Sequence, residues 1–224
     1  MLTPIKAVIF DMDGVIFDSE RVYYDAFFLV ADELEIEVDN ELVMAFSGKT
    51  TETVLLMLQS ILDNDIEKTQ QFVRLWSEAR WDILREKGLP FKDGFLALFD
   101  AIKASGRDIG LVTSASYDDM EENFRRNQSN LLESFTHIIT INDVRYPKPN
   151  PQPYEMMINR LGCQPDECIV VEDSITGVSA ATGANAKTIM INEHISPPPD
   201  LADKLLLHVG HHDEILDFLQ SNGL

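Results

Sequence analysis

The chain has 224 residues, 45% of them hydrophobic, which is enough to bury a substantial core as one domain or as a domain with a small insert. Its formal net charge of −20 sets it against nucleic-acid backbones and anionic membranes as partners, since long-range repulsion opposes both, and reads as a solvated surface. Two cysteines, Cys163 and Cys168, suit neither a disulfide framework nor a structural zinc site, and with no basic leader and no run of about 18 apolar residues the expectation is a cytoplasmic protein that does not span a membrane.

The first element is a mostly apolar run, Ile5 to Phe10, that ends in Asp11-Met12-Asp13-Gly14. Side chains alternate along a strand, so Asp11 and Asp13 can converge while Met12 turns away. Two carboxylates this close repel unless a cation or a shared proton offsets them, and oxygen-only ligation favours Mg2+ over zinc. Gly14 permits a sharp turn directly afterwards.

From Ser19 to about Gly88 the period is helical: Val22, Ala26, Val30 and Leu34 share one face, Val54, Leu55, Leu58, Ile61 and Leu62 lie on a second segment, and Phe72, Trp76, Ala79 and Ile83 on a third. Phe27, Phe72 and Trp76 read as the core of a helical bundle. The loop Phe46-Ser47-Gly48-Lys49-Thr50-Thr51 is the candidate for touching a substrate.

Beyond Gly88 strands and helices alternate, which implies a parallel sheet. Helices are expected over Phe95 to Ala104, around Met120 to Phe124 and over Tyr154 to Leu161, and strands over Ile109 to Val112, Ile138 to Ile141, Ile169 to Val171 and Lys187 to Ile191. The first of these strand regions ends in Thr113-Ser114, hydroxyls that can donate to a phosphate. Prolines flank Lys148 and cut the entropic cost of holding its ammonium. Another strand ends in Glu172-Asp173, followed by Ser174, a candidate cap for the small-residue helix after it. Near the C-terminus Ile195 to Asp200 reads as a stiff loop, Asp213 to Gln220 as a closing helix, and His208, His211 and His212 as a solvated turn without metal spacing.

Four strand ends or adjoining loops thus supply Asp/Asp, Thr/Ser, Lys and Glu/Asp in order, and with these motifs nearly the whole chain resembles the haloacid dehalogenase superfamily, in its phosphatase and phosphomutase branch near β-phosphoglucomutase and phosphoglycolate phosphatase. Asp11-Met12-Asp13-Gly14, Thr113, Lys148-Pro149-x-Pro151-x-x-Tyr154 and Glu172-Asp173-Ser174-x-x-Gly177-Val178 match its four motifs. The resemblance implies an α/β fold: a Rossmann-like core with a helix-flanked parallel sheet over residues 1–18 and 89–224, and an inserted α-helical cap domain over residues 19–88.

The resemblance further implies that Asp11 is a nucleophile forming an aspartyl-phosphate and that Asp13 is the general acid and base. It places Mg2+ on Asp11, the main-chain carbonyl of Asp13 and Asp173, with Glu172 either a ligand or an orienting acid. Thr113, the Ser114 N–H and Lys148 would bind the transferring phosphoryl group, while Gly48, Lys49 and Thr51 would meet the rest of the substrate. The partner is then a small phosphorylated metabolite. Three functions stay open: a Mg2+-dependent phosphatase, a phosphoglucomutase, and a non-catalytic phosphate-binding relative. Where the mutases carry an arginine and a histidine this chain has Thr51 and Tyr23, which favours the phosphatase; Lys49 can replace that arginine only in part. Oligomeric state is not written in the sequence.

Overall fold

A computed structural model describes residues 4–38, 42–43, 46, 51–127 and 130–223, with residues 51 and 52 described by their backbone. The chain divides into two compact units, one formed by Met1–Asp18 with Phe91–Leu224 and the other by Ser19–Pro90.

The first unit holds a parallel sheet of six strands, β1 (Ala7–Phe10), β2 (Asp108–Val112), β3 (His137–Ile139), β4 (Cys168–Glu172), β5 (Lys187–Ile191) and β6 (Leu205–Val209), in the order β3-β2-β1-β4-β5-β6. All residues of β1 and β4 are buried, as expected for central strands covered on both faces. The strand order reverses between β1 and β4, and in open parallel sheets ligands bind outside the carboxyl ends at such a point.

The described helices begin in the second unit with α1 (Ser19–Glu33), α2 (Thr51–Ile61) and α3 (Ile66–Lys87). The first unit carries α4 (Phe95–Ala104), α5 (Tyr117–Arg126), α6 (Gln152–Arg160), α7 (Ile175–Gly183), the short α8 (Pro199–Ala202) and α9 (His212–Ser221). Strand alternation serves both faces of the sheet. Ala7 and Ile9 join a core with Tyr154, Met157, Ala180 and Ala181 of α6 and α7, whereas the ring of Phe10 meets Phe95 of α4 edge-on at 5.6 Å. Ser174 caps α7, its side chain accepting from the Gly177 N–H.

The second unit is an aromatic bundle. Phe27 packs against Phe46, Phe72 and Trp76 at centroid distances of 5.2, 4.7 and 5.3 Å, with Val30, Ala31, Val43, Leu58 and Leu62 around them. Asp65 caps α3, accepting from the Lys68 N–H at 3.0 Å, while Arg85 and Lys87 complement the helix dipole in its last turn.

Three sequence expectations change, and a strand for which there was none joins the sheet. Strand β3 stops at Ile139 instead of Ile141, because Thr140 turns the chain, its N–H and hydroxyl both donating to Asp143. Leu205–Val209 is an edge strand that its short apolar run did not distinguish from helix or loop. Pro199, read as part of a stiff loop, opens α8, since proline at a first helical position loses no hydrogen bond. His212 is 1% exposed instead of lying in a solvated turn: its Nδ1–H donates to the Asp93 carbonyl at 3.0 Å and its ring meets Phe95.

Candidate active site

The first strand delivers its acids as alternation requires. The Asp11 N–H still donates to Val171 on β4 at 3.0 Å, so the residue is held in the sheet and is 8% exposed, while Met12 is fully buried and Asp13 reaches solvent. Gly14 then adopts φ +76°, and a Cβ at this position would lie 1.9 Å from Asp173 Oδ2. The glycine therefore serves twice, in the turn and in the space it leaves for a second strand's carboxylate.

Lys148 reaches the same point from the loop before α6. Its ammonium donates to Asp11 Oδ1 at 2.5 Å, Glu172 Oε1 at 2.7 Å and the Val112 carbonyl at 3.2 Å, which uses all three of its protons. Glu172 is fully buried and accepts five bonds: from Lys148 and the Tyr154 hydroxyl on Oε1, and from the Asp173 N–H, the Ser174 N–H and the Ser174 hydroxyl on Oε2. It needs Gly177, where a Cβ would stand 1.8 Å from Oε1. Beside Lys148's third acceptor, Thr113 is buried and accepts from the Ala115 N–H at 3.0 Å, which keeps its hydroxyl proton for another acceptor. Ser114 is exposed.

Asp11, Lys148, Glu172 and Asp173 therefore meet, with Asp13 at the end of the same strand and Thr113 one residue past Val112. Gly48 and Lys49 lie outside the described residues, as does the side chain of Thr51, which begins α2. The pattern singled out neither of two further residues with roles here. Tyr154 was visible only as part of a motif. Asn192, whose side-chain amide holds the Asp173 carbonyl at 3.0 Å, gave no signal, because its partner lies on another strand.

One ammonium faces three carboxylates, and the electrostatics reflect it. Burial lifts the Asp11 carboxyl to about 7 against the opposing pull of Lys148, and burial with the charges of Asp11 and Glu172 lifts Asp173 to about 8. Burial also raises Asp13. Burial alone would lower Lys148, but Asp11 and Glu172 outweigh it and keep the ammonium charged. Ligand atoms of Asp11, Glu172 and Asp173 lie within 4.8 Å of one another. An all-oxygen set with surplus negative charge fits a hard divalent cation such as Mg2+.

The sequence profile of the haloacid dehalogenase-like hydrolases matches residues 8–191. The chain belongs to this family. Bacillus subtilis YhcW is 32% identical over 197 residues, covering 86% of each chain. The Thermotoga maritima phosphorylated carbohydrates phosphatase is 28% identical over 186 residues, covering 83% of this chain and 84% of its own. The Escherichia coli fructose-1-phosphate phosphatase YqaB is 26% identical over 183 residues, 81% of this chain and 94% of its own. Among solved structures a HAD family hydrolase from Deinococcus radiodurans superposes with a TM-score of 0.73 at 23% identity, covering 98% and 97% of the two chains, so the Rossmann-like haloacid dehalogenase fold spans the described sheet and helices. No described helix is long and apolar enough to cross a membrane.

Proposed function

We propose that this haloacid dehalogenase-like hydrolase is a Mg2+-dependent phosphatase that releases phosphate from a small phosphorylated sugar through an aspartyl-phosphate on Asp11. The observation that carries this reading is the buried contact of Asp11 with Lys148, itself anchored by Glu172, beside the carboxylate of Asp173. The phosphorylated-carbohydrate and fructose-1-phosphate phosphatases among its relatives support the substrate class.

In the proposed reaction an Asp11 oxygen bonds to phosphorus as the ester oxygen leaves, and Asp13 gives that oxygen its proton. Water then attacks the aspartyl-phosphate while Asp13 takes a proton back, which returns the Asp11 carboxylate and releases inorganic phosphate. Thr113, the Ser114 N–H and Lys148 bind the phosphoryl oxygens, one of which competes with the Val112 carbonyl for the longest of the ammonium's three bonds. Asp11, the Asp13 carbonyl and Asp173 would hold Mg2+, which supplies positive charge against the repulsion between two anions. Glu172, with both oxygens occupied inside the fold, orients Lys148 instead of binding metal directly. Choice of sugar is assigned to the inserted unit, as the resemblance implies.

The test is phosphate release from p-nitrophenyl phosphate, a panel of hexose and pentose phosphates and phosphoglycolate, with Mg2+ and in excess chelator. Turnover of at least one sugar phosphate in Mg2+ alone is expected, and release from none defeats the reading. For the mutase alternative, β-glucose 1-phosphate with a trace of the 1,6-bisphosphate should yield inorganic phosphate and not accumulate glucose 6-phosphate.

A further inference from the structure

We infer that Tyr154 is a positioning residue of this site: its hydroxyl, donated to Glu172 Oε1, limits how tightly Glu172 holds Lys148 and so leaves the ammonium for Asp11 and the phosphoryl group. The inference rests on the phosphatase reading. Oε1 is shared between two donors, the Tyr154 hydroxyl and the Lys148 ammonium, each at 2.7 Å, while the three bonds on Oε2 come from its own strand end and the cap of α7. Among the described residues Tyr154 is therefore the one neutral donor that competes with Lys148 for the oxygen they share.

The placement is rigid. Tyr154 is fully buried on α6, packed in the core with Met157, Ile158, Val170 and Ala180, and its ring lies 5.1 Å from the Lys148 ammonium. Across Glu172 the missing Cβ of Gly177 leaves the carboxylate room but no donor. Without the Tyr154 hydroxyl, Oε1 falls to Lys148 alone, and a fully buried carboxylate draws its remaining donor closer. The ammonium then moves toward Glu172 and away from Asp11 and the Val112 carbonyl, where the phosphoryl oxygens bind.

Tyr154→Phe isolates the hydroxyl, since the ring and its packing stay. Expected is a fall in kcat of about tenfold, the size of effect usual for a residue that orients a ligand's neighbour, with KM changed less than twofold. Orthovanadate affinity, measured by calorimetry in Mg2+, should fall by a similar factor, and the rise in melting temperature on adding MgCl2 should not change. A purely structural role predicts a lower melting temperature with kcat and orthovanadate affinity intact, and that result overturns the inference. In a Glu172→Gln background Tyr154→Phe should cost less than twofold, because its effect runs through the carboxylate; a full, multiplicative loss there also overturns it. If Glu172→Gln does not fold, orthovanadate affinity of the single variant decides alone. Wild-type protein that releases no phosphate from any ester defeats the phosphatase reading separately, and the orthovanadate comparison still decides the role of Tyr154.

Discussion

The carboxyl ends of β1 and β4 and the bundle of residues 19–90 solve burial in opposite ways. The buried polar and charged residues described, Asp11, Thr113, Thr140, Glu172, Thr188 and His212, all belong to the first unit. Among its described residues the second unit buries Phe27, Val30, Ala31, Leu58 and Phe72 and no whole charged residue, Arg80 burying only its Nε as its guanidinium lies over the Tyr23 ring. A buried carboxylate tolerates few neighbours, because each oxygen needs a donor, whereas an apolar bundle needs only volume and period. The first kind of site therefore fixes residue identities at fixed positions. The second leaves the identity of most positions open.

Substitutions at the charged site should thus abolish chemistry, and those in the bundle should cost stability alone. The largest effect is expected for Asp11→Asn, which keeps size and one acceptor for Lys148 but removes the nucleophile. Activity should fall by about a thousandfold or more, with an unchanged circular dichroism spectrum. A purified, deamidation-free variant that keeps a tenth of the wild-type rate of phosphate release would refute covalent catalysis.

Metal removal comes next. Chelation should reduce phosphate release by roughly a hundredfold or more, and Mg2+ should restore it. Ca2+ should inhibit, since its looser and higher coordination misplaces Asp11. Full activity in excess chelator would show that the surplus negative charge around Lys148 is neutralised another way.

A paired substitution sharpens the contrast between the units. Gly177→Ala puts a Cβ into the Glu172 carboxylate and must displace a buried charge from its donors, at about 3–5 kcal/mol, with activity lost through Lys148. Phe72→Leu in the bundle should cost roughly 1–3 kcal/mol and leave kcat per folded molecule within about twofold of wild type. Urea unfolding and rate measurements on both variants make the comparison. Equal loss of kcat would mean that the bundle's core is as exacting as the charged site.

The same physical difference decides what could be read in the sequence. Strands β1, β2 and β4 announce themselves as apolar runs that end in chemistry and β5 as an apolar run after a small-residue helix, and the parallel sheet follows from their alternation with helices. Edge strand β6 has no such ending and was missed. At the site, Asp11, Glu172 and Asp173 were legible as residue types at strand ends, and Lys148 by the prolines that flank it. The sharing of Oε1 by Lys148 and Tyr154 was not, because it joins residues 148, 154 and 172 across three elements. Asn192 stayed hidden for the same reason: an asparagine after a strand is ordinary until its amide is seen on the Asp173 carbonyl. In the inserted unit the helices were legible by period, while Gly48 and Lys49 in its candidate substrate loop lie outside the described residues.

The smallest expected effect concerns a buried group away from the site. Burial pushes the His212 imidazole down to about 4, assisted by the Lys92 and His211 charges and opposed by the Asp93 and Val15 carbonyls. Above the unfolded value of about 6.5 both states are neutral and His212 gives no pH dependence. As pH falls from there toward 4, the unfolded chain takes the proton first, so stability is lost in that window and levels off below it. A full proton difference is worth about 1.36 kcal/mol per pH unit, and with the unfolded imidazole half protonated at pH 6.5 the expected loss between pH 6.5 and 5 is about 1.5 kcal/mol. In metal-free protein Asp11 and Asp173 act in the opposite direction, since their raised values make the folded state take up protons first as pH falls through about 8 and 7. The difference between wild type and His212→Gln cancels that contribution. Urea midpoints for both proteins at pH 7, 6 and 5 should therefore diverge, wild type weakening faster on acidification, and parallel pH dependences would mean that His212 accepts a proton in the folded protein as readily as in water.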